Sequence, residues 1–118
     1  MNLKNIINET INNGGCSYNI TTGDANPTYG FMVAIHGAER SMPVQDLSQQ
    51  VISDYIFDNA LILADPVAFL GTWINPENNM VYLDVSYLID DVQEATLVGR
   101  WNKQLAIYDN NNKTTIYI

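Results

Sequence analysis

The chain has 118 residues, 47% apolar and 15% charged, and its 13 Asp and Glu against five Lys and Arg leave a net charge of −8 at pH 7. The apolar content excludes a disordered acidic tail and supports one packed domain over residues 1–118. Direct nucleic-acid binding is excluded as well, because it needs a basic stripe and Lys4, Arg40, Arg100, Lys103 and Lys113 are scattered.

Leu3, Ile6, Ile7, Thr10 and Ile11 recur at helical spacing, with Asn2 as N-cap and Gly14 and Gly15 as the stop, which predicts a helix over 2–13. Residues 16–20 and 29–36 alternate and read as the two strands of a hairpin across a turn-rich loop. The second of these is apolar on both faces, as a strand in the middle of a sheet would be. After a connection over 37–44 with a short extended piece, Asp46 and Gln49 form a capping box for a second helix. Leu47, Val51, Ile52, Tyr55, Ile56 and Ala60 make its apolar face, and Asp65 and Pro66 end the region.

Residues 69–74 and 80–88 then read as a hairpin turning through 75–79 (Asn-Pro-Glu-Asn-Asn). Asp90 or Asp91 caps a third helix, with Glu94 completing the box and Val92, Ala95, Thr96 and Gly99 as a small-residue stripe. A final hairpin pairs 104–108 with 114–118. The expected architecture is α+β: a single domain whose antiparallel sheet comes from three hairpins, each preceded by a helix.

Asp54 and Asp58 stand at i, i+4, and Asp65 would extend the same flank if the helix persisted, which makes either an acidic stripe suited to a basic partner or a solvated face. Asp84, Asp90, Asp91 and Glu94 form a second cluster. The last three are explained by a helix N-terminus. Asp84 is not, and pairing with Thr72 on the adjacent strand is one expectation for it. An oxygen-ligated cation held by Asp84 with Asp90 or Asp91 is not backed by any calcium-loop spacing, so no metal and no cofactor is expected. Cys16 and His36 make a nucleophile and base only if hairpin register unites them, and no Gly-x-Ser-x-Gly elbow exists. No catalytic residue is therefore assigned. Trp101, off the small-residue stripe, either folds back under the last hairpin or forms with Leu97 a candidate apolar anchor.

The lone cysteine, the lack of a signal-peptide apolar stretch after Met1 and the lack of a membrane-length apolar run point to a cytoplasmic protein. Residues 71–74 (Gly-Thr-Trp-Ile), 81–86 (Val-Tyr-Leu-Asp-Val-Ser) and 104–109 (Gln-Leu-Ala-Ile-Tyr-Asp) resemble strands of small accessory proteins of bacteriophages and mobile elements. That resemblance covers about the last 50 residues and carries over no catalytic residue. It implies a phage or mobile-element product acting in the host cytoplasm, in a setting where small acidic α+β proteins resemble anti-CRISPR and DNA-mimicking anti-restriction factors. The resulting expectation is a non-enzymatic inhibitor, monomer or homodimer. It would occupy a basic host protein such as a nuclease or CRISPR effector through Asp54, Asp58, Asp65, Asp84, Asp90, Asp91, Glu94 and Trp101. The alternative is a self-assembling phage component that pairs through the edge strand at 114–118.

Overall fold

In the structure, a computed structural model describing residues 2–118, the first helix α1 (Leu3–Asn13) begins where the Asn2 side chain accepts the Asn5 N–H. It ends at Gly14, whose φ of 83° suits a residue without a Cβ. Strand β1 (Gly15–Tyr18) follows directly. Its partner is not β2 (Phe31–Ala34) but β4 (Ala68–Asn75), so the expected first hairpin does not form. The intervening loop turns back on β1 instead. Asn26 N–H donates to the Ser17 carbonyl at 2.9 Å, its side chain accepts the Ser17 N–H at 2.9 Å, and Tyr18 bridges Ala25. A loop of this length leaves β2 free to lie elsewhere, and local side-chain bonds close the β1 edge.

Seven antiparallel strands form one sheet in the order β1-β4-β5-β2-β6-β7, with the short β3 (Arg40–Pro43) also on β5 (Met80–Ile89). The two later hairpins are as expected: β4 with β5, and β6 (Ala106–Asp109) with β7 (Thr114–Tyr117). β2, apolar on both sides, does lie between two strands, β5 and β6. β7 is the terminal strand opposite β1 and contains neither proline nor charge.

Helix α2 (Gln49–Asp58) starts two residues later than its sequence implied: Ser48, not Asp46, is the N-cap and accepts the Val51 N–H. Asp46 belongs to a single 3-10 turn, Val44–Asp46, and Leu47 is extended between the two. Leu47 at that position packs into the same core as Ile52, the arrangement of a hydrophobic staple. A short α3 (Ala60–Leu63) follows a break at Asn59, and α4 (Val92–Trp101) is capped by Asp91, whose carboxylate accepts the Glu94 N–H at 2.9 Å.

All four helices cover one face of the sheet. Ile6, Ile52, Tyr55 and Leu63 pack on Leu70, Val81, Leu83 and Val85, while Ala95 packs with Val33 and Ile107 in a smaller cluster. Gly99 lets α4 approach closely, since a Cβ there would meet Ile118 at 2.6 Å. Thr10 of α1 and Thr72 of β4 share a buried 2.6 Å hydrogen bond across this layer. The Thr10 hydroxyl already donates to the Ile6 carbonyl, so Thr72 is the donor. The radius of gyration, 13.4 Å, is that of one packed domain of this length. Among the described residues no helix is long and apolar enough to cross a membrane.

Candidate functional site

The opposite face of the sheet carries no helix. Strand alternation sends Tyr82, Asp84 and Ser86 of β5 there, with Phe69, Gly71 and Trp73 opposite them on β4. Met32 and Ala34 of β2 and Ala106 and Tyr108 of β6 continue the surface, and an open groove of about 810 Å³ runs along it.

At the floor of this groove the Asp84 carboxylate lies over Gly71. A Cβ on residue 71 would collide with Asp84 Oδ1, so the glycine creates the space that the carboxylate fills. Trp73 and Tyr82 form a wall beside it, their ring centroids 5.5 Å apart. Burial, with the nearby Glu39 charge adding to it and the Ser86 hydroxyl opposing it, pushes Asp84 up to about 6. The expected Asp84–Thr72 pairing is ruled out by alternation: Thr72 stands opposite Leu83 and faces the helices.

Among the described residues no cation pairs with Asp84. Arg40, one residue off in register, points to the helix side, where its guanidinium sits 5.2 Å above the Tyr55 ring and bonds Asp58 at 2.9 Å. That is the one ion pair among the described residues.

The other candidate acidic residues, Asp54, Asp58, Asp65, Asp90, Asp91 and Glu94, belong to the helix layer or its margins, and they do not form the continuous stripe expected. The helix stops at Asp58, so Asp65 is not carried onto the flank of Asp54 and Asp58. Asp58 is neutralised by Arg40, Asp54 accepts from Gln50 at 2.8 Å, and Asp65 accepts the Val67 N–H. Asp91 serves as the α4 cap, and Asp90 is exposed at the end of β5. Six residues of strand put Asp84 roughly 20 Å from Asp90, too far to share a cation. Among the described residues no three His, Cys, Asp or Glu side chains converge as a metal site.

The helix layer also exposes large apolar side chains. Trp101 is 88% exposed and Leu97 67% exposed, and with Glu94 they share one face of α4 at i, i+3, i+7. Leu105 is exposed just beyond them, and Phe57 and Leu61 stand out from α2 and α3. Trp101 does not fold under the last hairpin.

Cys16 and His36 are not brought together. β4 and β5 lie between β1 and β2, which separates the two by roughly 14 Å of sheet. The buried Cys16 thiol donates to Glu9 Oε2 at 3.1 Å and is pushed up to about 12, by burial first and by Glu9 second. His36 is an exposed loop residue whose backbone N–H donates to Asn102.

Comparison with protein-family models, with curated proteins and with solved structures finds no match for this chain.

The Gly71–Asp84 relationship escaped the sequence reading, although its signal was present. Once Asn75 pairs with Met80 across the predicted turn, an unbroken ladder carries Gly71 opposite Asp84.

Proposed function

We propose that this chain is a non-enzymatic acidic binding protein that engages a basic protein partner through its helix layer. The observation that carries this reading is the exposure of Trp101, Leu97, Phe57 and Leu61 in a layer that also bears Asp54 and Glu94. An exposed aromatic anchor with a charged surround is the composition of an interface centre. A net charge of −8 would steer such a surface toward a basic partner and raise the association rate. In the phage or mobile-element setting implied by the resemblance of the last 50 residues, the partner is a host nucleic-acid-handling protein, a nuclease or CRISPR effector. The chain then acts as an anti-defence inhibitor in the host cytoplasm. A mixed apolar and acidic surface supports this better than imitation of a phosphate strand, because the carboxylates are dispersed.

The test is capture of partners from host lysate at low and high salt, with Trp101→Ser and Glu94→Lys variants alongside. The reading expects a basic nucleic-acid-handling protein that salt releases and both variants lose. Capture indifferent to salt and to both variants would remove the helix layer from the mechanism. Self-assembly is the second reading, favoured by the uncharged terminal strand β7. It expects a concentration-dependent dimer that Thr115→Pro dissolves.

A further inference from the structure

We infer that the groove on the helix-free sheet face receives an arginine or lysine side chain of a protein partner, with Asp84 as its counter-charge. The occupant follows from charge complementarity. The groove floor holds a carboxylate that no cation among the described residues reaches, because Arg40 is engaged by Asp58 and Tyr55 on the other side of the sheet. Lys113 also lines the groove, but at its rim in the β6–β7 turn, two strands from β5.

The site has the parts that bind a guanidinium or ammonium group. Gly71 leaves room on the sheet surface for the carboxylate, which a larger residue there would displace. Trp73, half exposed and tilted against Tyr82, offers a ring face on which a cation gains further attraction. Met32, Ala34 and Ala106 line the path an aliphatic stem would follow. Partial burial makes a charge-assisted bond there stronger than one at an open surface. The charged and titratable groups near Asp84 are Tyr82 on its own strand, Glu39 in the loop before β3, and Tyr55 and Arg40 on the helix side. Glu39 adds to the negative potential. Since the groove lies opposite the helix layer, this inference and the interface proposed above stand or fall separately.

The experiment titrates the full chain with a blocked Gly-Arg-Gly peptide at pH 8, following the backbone amides of Gly71, Trp73 and Ser86 by NMR. The expected result is saturable shifts at these three amides. Asp84→Asn should weaken binding about tenfold or more, as loss of a charge-assisted bond implies. A citrulline analogue of the peptide should not bind, and the Asp54→Asn, Glu94→Gln variant should bind as the parent does. At pH 5, with Asp84 largely protonated, affinity should fall about tenfold. Absence of saturable shifts, equal binding by Asp84→Asn or equal binding of the citrulline peptide would overturn the inference.

Discussion

Asp84 and Gly71 occupy one volume on neighbouring strands: the carboxylate of the first lies where a side chain of the second would begin. Gly71→Ala is therefore expected to destabilise the domain by about 1–3 kcal/mol, as overpacking does. Asp84→Ala in the same chain should relieve most of that cost. A double-mutant cycle followed by urea unfolding measures the coupling, and strict additivity would show that the two sites do not interact.

The pH dependence of stability has a definite sign. Asp84 lies at about 6 in the folded chain against 3.8 ordinarily, raised by burial first and then by Glu39. Between those values the folded chain holds a proton that the unfolded chain releases, so stability falls as pH rises through that window. Above it the ionised group is a standing cost. Asp84→Asn should exceed the parent by on the order of 3 kcal/mol at pH 8, and the two should converge below pH ~4. Urea midpoints across pH measure this, and a gap that does not change with pH contradicts the assignment.

Cys16 should be chemically silent. Its thiol, buried and bonded to Glu9, is pushed up to about 12, and the thiolate is the reactive form. Iodoacetamide at pH 8 should leave the native protein unmodified and label it fully in urea. Rapid labelling of the native state would mean that β1 opens readily.

Tyr55 ties α2 to the loop between β2 and β3 by donating its hydroxyl to the Ala38 carbonyl at 2.6 Å. Tyr55→Phe keeps the buried ring and removes that bond, with an expected cost of about 1 kcal/mol. Faster amide exchange should be confined to residues 35–39. A uniform change across the sheet would show that the ring, not the hydroxyl, had been disturbed.

Trp101 carries the clearest separation of folding from binding. With 88% of its surface exposed, Trp101→Ser should change unfolding free energy by no more than about 0.5 kcal/mol. Partner affinity should drop severalfold or more. A large loss of stability would assign the tryptophan to the fold instead.

Caps and turns were the most legible part of the fold. Asn2, Gly14, Asp91 and the turn after Asn75 all act where local chemistry placed them, because each is settled by a few neighbouring residues. The first hairpin was not legible. Its strands alternate well, but pairing is decided by competition among strands, and β4 won β1. The α2 start shifted for a smaller reason: Asp46 and Ser48 are both competent caps, and burial of Leu47 chose between them. The acidic stripe was misjudged because spacing along a helix says nothing of where the helix ends. Asp84 has no helix terminus to explain it in the sequence, and the glycine opposite it follows only when the ladder is carried back from the Asn75–Met80 turn.

The sheet has two dissimilar margins, and that asymmetry limits any assembly built by strand addition. The β1 side is sealed by its own Ser17–Asn26 bonds, and the free side of β3 is four residues long and includes Pro43. Among the described residues only β7 offers an unoccupied ladder of backbone groups. Two copies joined there by a twofold axis would bury each other's free edge, so strand addition through β7 stops at a pair.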